Sequence, residues 1–176
     1  MAAIADTPTY TVPGVDTGAA ARVIEILQDR LVATIDLQLT LKHVHWNVVG
    51  PHFIAVHQML DPQVDAAREM SDQLAERIAT LGGSPAGTPG AVVEARRWED
   101  YPMRRDSALK HLGAVDSVYV GVVEDYRRAV ADTEELDPVT QDLLIGHLRT
   151  LELHHWFVRA HLEDPAGMVH DPRREG

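Results

Sequence analysis

Cysteine is absent from this sequence of 176 residues, so neither a disulfide nor a thiolate ligand is available. Any bound metal has to be held by nitrogen and oxygen, which leaves His, Asp and Glu. Long apolar runs are missing as well. No segment approaches the roughly 20 residues that a spanning helix needs, and residues 1–13 show no basic stretch followed by an apolar run. A soluble cytoplasmic protein with no membrane partner is the expectation. Positive charge is scarce: the net charge is −11, and Lys42 and Lys110 are the only lysines beside 14 arginines. Such a surface repels polyphosphate unless its arginines gather on one face, whereas an acidic excess suits cation capture. Internal repeats, low-complexity segments and convincing strand alternation are also missing.

What is present is helical periodicity. With 45% hydrophobic residues the chain suits one domain with a substantial core. Residues 1–15, with Pro8, Pro13 and Gly14, read as an extended arm. A first helix begins after a cap at Asp16 or Thr17, shows Val23, Ile24, Leu27, Leu31 and Ile35 on one face, and runs to about Trp46. A second extends from Phe53 to Leu81 and stops at Gly82-Gly83. The stretch from Ser84 to Pro102 is a long crossover in which Val92 to Trp98 forms a short helix. A third long helix is expected from about Met103 to Ala131, and a fourth from Pro138, behind Asp137, to about Glu163. The expected class is all-α: a ferritin-like four-helix bundle over 16–164, with the crossover between its second and third long helices and a short tail at 165–176.

Four side chains with metal-ligand chemistry, His57, Asp61, Asp72 and Glu76, fall within a stripe about 100° wide on the second helix. One ion cannot use them all. At about 1.5 Å rise per residue Asp61 and Asp72 stand roughly 16 Å apart, while metal–ligand bonds are about 2 Å long. Either the stripe is an ordinary polar face, or two chains packed antiparallel across a two-fold axis complete each other's sites.

The run KHVHWNVVGPHFIAVHQMLDPQVDAAREMSDQLAERIATLGGSP, from Lys42 to Pro85, resembles the signature region of the Dps family, the miniferritins. The segment DLLIGHLRTLELHHWFVRAHLE is similar to that family's last helix. The resemblance covers all four long helices and rests on H-W-N-x-x-G, then F-I-x-V-H, then D-x-x-x-E. It implies a hollow homododecamer with iron-oxidising centres at two-fold interfaces. His45 and His57 would come from one subunit and Asp72 and Glu76 from its neighbour, with Asp61 as a further ligand or supporting partner. It further implies ferroxidase activity on Fe(II), hydrogen peroxide as the preferred oxidant over oxygen, and a ferric mineral stored in the cavity. Donor softness alone leaves zinc and other divalent ions open at the same site. Trp46 resembles the family's tryptophan beside the centre, an electron donor to stray oxidants; the alternative is a core anchor.

Other polar residues have plainer readings. His43 lies about 200° around the helix from His45, so the two cannot share an ion. His52, in the Gly-Pro turn, reads as a surface histidine. Glu152 and His155 form a Glu-x-x-His pair without a second copy, and the His154-His155 doublet departs from the family pattern. Glu134, Glu135, Asp137 and Asp142 cluster where related proteins gather acids at three-fold pores, Asp142 being the best placed and Asp137 having a capping role as its alternative. Two other functions remain open: a nucleoid-packing DNA binder, and a shell that binds divalent metal without turnover. Residues 1–21 hold no Lys or Arg, and the C-terminus offers only Arg173 and Arg174 beside acids. The protein should therefore pass through duplex DNA without retention at about 150 mM salt, and retention under that condition contradicts this reading.

Overall fold

The computed structural model describes residues 8–166 and 168. Its elements follow in the order α1 (Thr17–Asn47), β1 (Val48–Val49), α2 (Phe53–Thr80), α3 (Pro89–Ala95), β2 (Asp106–Ser107), α4 (Ala108–Thr133) and α5 (Pro138–Ala160). Asp16 caps α1 by accepting from the Gly18 and Ala19 amides at 2.9 and 3.0 Å. Val23, Ile24, Leu27 and Leu31 then turn one face inward and are almost fully buried. Leu60, Leu74 and Ile78 of α2, Leu112, Tyr119 and Tyr126 of α4, and Leu144 and Leu151 of α5 meet them in one core. The four long helices form the expected bundle. No helix among the described residues is long and apolar enough to cross a membrane.

The crossover is pinned rather than loose. Gln28 of α1 accepts from the Ala86 amide at 2.8 Å and donates to the Ala86 carbonyl at 2.9 Å. Arg96 grips the buried Asp36 with two parallel hydrogen bonds of 2.9 and 3.0 Å. Thr88 caps α3 ahead of Pro89, so this helix starts earlier and ends earlier than the expected 92–98. Past it, β2 pairs in parallel with β1, Val48 opposite Asp106 and Val49 opposite Ser107. Two residues are too few to leave an alternating pattern in sequence. The pairing also moves the start of α4 from Met103 to Ala108, where the Ser107 hydroxyl caps it.

Of the arm, Pro8 is buried and Val12 packs against the core; residues 1–7 lie outside the described residues, as do Arg173 and Arg174 of the tail. The arm closes over the end of α2. Gly82 takes φ +89°, and a Cβ there would run into the Tyr10 carbonyl oxygen and approach Pro8. Only glycine fits both the backbone angle and the close approach. Gly82→Ala should cost about 2–3 kcal/mol and lower the thermal midpoint by roughly 5–10 °C. Gly90→Ala, in α3 with open space around it, should be neutral or slightly stabilising. Differential scanning calorimetry of both variants checks the contrast.

Candidate metal centre

The antiparallel α1–α2 hairpin brings the last turn of α1 beside the first turns of α2, joined by a corner in which Gly50 adopts φ +98°. His45, buried at 7% exposure, and the half-buried His57 meet there. Their rings stack with centroids 3.6 Å apart and planes 25° from parallel. His45 Nδ1 donates to the His57 carbonyl at 3.0 Å, and His57 Nδ1 donates to the His45 carbonyl at 2.9 Å. A carbonyl oxygen can only accept, so each Nδ1 carries the proton and each Nε2 is left with its lone pair in the neutral ring. That is the tautomer a metal needs, fixed here by main-chain oxygens.

Asp61 completes a three-donor group whose ligating atoms lie within 4.8 Å of one another, and among the described residues this is the one such group found. Its Oδ1 accepts from Lys42 Nζ at 2.9 Å and lies 3.2 Å from His45 Nδ1. The Lys42 hydrogen bond is the main reason the Asp61 carboxyl sits below its usual value, with His45 and His57 adding to it and burial opposing. Lys42 was overlooked in the sequence, although it stands one turn before His45 on the same face, and that spacing was the available signal.

Asp72 and Glu76 are not in this group. Both are exposed, further along α2. Asp72 borders a groove of about 730 Å³ between α1 and α2, walled by Leu31, Ile35 and Gln38 on one side and Arg68 and Ala75 on the other. Trp46 is 70% exposed, which rules out the core-anchor alternative within the protomer. Leu39 and Ile54, at 58% and 57%, are exposed as well. His43 donates from Nε2 to the Met103 carbonyl at 2.8 Å, a structural bond, and His52 is exposed at the N-cap of α2 without making a capping bond. Glu152 pairs with Arg127, while His155 meets Asp116 at 2.8 Å, so the Glu-x-x-His pair is divided between separate partners.

Of the acidic cluster, Glu134, Glu135 and Asp142 are exposed and Asp137 is not. Asp137 is 2% exposed, accepting from Arg77 Nη2 and Thr140 Oγ1 at 2.5 Å each and from the Val139 amide at 3.2 Å. Its carboxylate is consumed in capping α5 and tying it to α2, which corrects its assignment as a pore residue.

The ferritin-like domain family matches residues 24–168. The fold thus belongs to a ferritin-like protein, a class that binds iron. A relative named "DNA protection during starvation protein" from Mycolicibacterium smegmatis is 54% identical over 161 residues, covering 92% of this chain and 88% of that one. Another, "Fine tangled pili major subunit" from Haemophilus ducreyi, is 46% identical over 160 residues, with 91% and 85% covered. The solved structure of DpsA14 from Streptomyces coelicolor superposes with a TM-score of 0.92 at 61% identity, covering 93% of this chain and 98% of that one. The chain belongs to the Dps family. Membership is consistent with iron storage and protection against oxidative damage.

Burial pushes the Asp137 carboxyl up, but the Thr140, Arg77 and Val139 hydrogen bonds together hold it below its usual value. A folded value below the unfolded value of about 3.9 stabilises the fold above that pH, and the contribution disappears as pH falls through the folded value. Asp137→Asn should lower unfolding free energy by about 3 kcal/mol at neutral pH, because it leaves the Arg77 charge unpaired. The deficit should shrink by pH 3, as urea titrations at the two pH values will show.

Proposed function

We propose that this protein is a ferroxidase and iron-storage miniferritin whose oxidation sites are completed between subunits of a homododecamer. His45, His57 and Asp61 supply one half of each site, and Asp72 and Glu76 of an antiparallel neighbour supply the other. The observation that carries the reading is the tautomer-fixed imidazole pair with Asp61. It gathers three donors at one end of the α1–α2 face, while Asp72, beside a groove, and Glu76, one turn further on, lie exposed toward the other. A two-fold partner running antiparallel brings opposite ends together and generates two equivalent sites. The exposed Leu39, Trp46 and Ile54 give that partner apolar surface to cover.

Fe(II) is the substrate. Imidazole nitrogen and carboxylate oxygen suit it, and the carboxylates favour Fe(III) as charge develops, because the higher charge prefers hard oxygen donors. Asp61 is already held by Lys42, so entering iron competes with an ammonium for that oxygen and the carboxylate serves as the exchangeable ligand. Hydrogen peroxide is the preferred oxidant, with oxygen as a slower alternative; two Fe(II) are consumed per peroxide, and the ferric product is mineralised in the cavity. Trp46, next to His45, supplies an electron to stray oxidising equivalents. Glu134, Glu135 and Asp142 draw cations toward the three-fold pores. The protein acts in the cytoplasm. A nucleoid-packing role is opposed by the net charge of −11, which assembly multiplies. A zinc-binding shell without turnover is separated from this reading by kinetics alone.

Anaerobic Fe(II) mixed with substoichiometric peroxide should give a fast rise in ferric absorbance. Asp72→Ala with Glu76→Ala should slow that phase by at least about 100-fold. Light scattering should report a mass near twelve chains for both proteins. A stable monomer, or a fast phase that survives the double substitution, contradicts the shared site.

A further inference from the structure

Across α1 from the imidazole pair lies a second aromatic cluster that the iron chemistry above does not use. His43 precedes His45 by two residues, about 3 Å along the axis and roughly 200° around it. Its ring meets Tyr101 edge-on, with centroids 5.6 Å apart. The Tyr101 hydroxyl stands 3.0 Å from His111 Nδ1 and 3.2 Å from the His111 carbonyl oxygen, and the two rings are nearly parallel, 9° apart. A phenol that donates to Nδ1 requires His111 to carry its own proton on Nε2. His111 is fully buried on α4, and β2, by pairing with β1, holds this end of the crossover against the corner that follows His45. Burial lowers the His111 pKa, leaving an unprotonated base at neutral pH, and raises that of the Tyr101 phenol. The tyrosine keeps its proton at rest. Once it loses an electron, the phenol becomes strongly acidic and its acceptor is already in hydrogen-bond contact.

We propose that Tyr101 is an internal electron reservoir for the iron centre, its hydroxyl proton moving to His111 Nδ1 when a single bound Fe(II) reacts with peroxide. The inference rests on the ferroxidase reading. One Fe(II) gives one electron to hydrogen peroxide, producing Fe(III), hydroxide and a hydroxyl radical. Tyr101 gives the second electron, which converts the radical to hydroxide; the phenol O–H bond breaks and the proton rests on His111. A later Fe(II) reduces the tyrosyl radical, and the proton returns from His111 to the phenolate oxygen. The sum is two Fe(II) oxidised and one peroxide reduced to two hydroxides, with Tyr101 restored.

The test uses the assembled full-length protein carrying ring-deuterated tyrosine. One Fe(II) per site is mixed with peroxide, freeze-quenched and observed by electron paramagnetic resonance, with ferric absorbance followed in parallel. The expected result is an organic radical signal narrowed by the deuterium label, several-fold weaker in Tyr101→Phe and in His111→Gln, while ferric product still forms. A second equivalent of Fe(II) should quench the signal. Ferric product without a tyrosine-derived radical, or a radical undiminished in Tyr101→Phe, overturns the inference and leaves the ferroxidase reading standing. No ferric product at all overturns that reading, and the reservoir falls with it.

Discussion

A metal–ligand bond of about 2 Å sets the scale against which this fold has to be judged. The donors on α2 are strung along a rod that places Asp61 and Asp72 roughly 16 Å apart. No rotamer choice closes that gap. Within the protomer the hairpin of α1 and α2 gathers two imidazoles and one carboxylate, and it leaves Asp72 and Glu76 facing outward. In the proposed assembly the second helix pair runs the other way, so the length of α2 becomes the spacing between two complete sites rather than an obstacle to one.

The same constraint explains why the corner after α1 is built so tightly. Each histidine spends its Nδ1 proton on the other's main-chain carbonyl, so ring orientation and helix packing are one variable. Sliding α1 against α2 would break both bonds together. Lys42 adds a cation held on Asp61 from one turn earlier on α1, which neutralises that carboxylate without occupying the imidazole nitrogens. Around the corner, the β1–β2 bridge and the Arg96–Asp36 clamp fix the crossover, so the surroundings of the site are held from both sides.

Much of the bundle was legible because helix ends carry local chemistry. Asp16, Gly82-Gly83 and Asp137-Pro138 mark boundaries that any chain must respect, and α1, α2 and α5 begin or end at them. The crossover was less legible. Thr88-Pro89 is a start signal of the same kind, four residues ahead of the start expected at Val92, and a two-residue strand pair leaves no period to detect. Asp137 and Trp46 show the limit more sharply. An acidic residue in an acidic loop gave no hint that Arg77, sixty positions earlier, would bury it. An aromatic beside a buried histidine equally gave no hint that it would lie on the protomer's surface. The five donors themselves were visible from spacing and motif; which of them meet inside one chain required the hairpin.

The most direct test of sharing between chains is complementation. One variant carries His45→Ala and His57→Ala, the other Asp72→Ala and Glu76→Ala, and the two are co-assembled after dissociation. In a mixed two-fold pair, one site loses all four donors and the other keeps all four. Ferroxidase activity absent from each variant alone should therefore return to about a quarter of the unmodified level on random pairing. Activity that stays absent in the mixture, or that survives in either variant alone, contradicts a site built from two antiparallel neighbours.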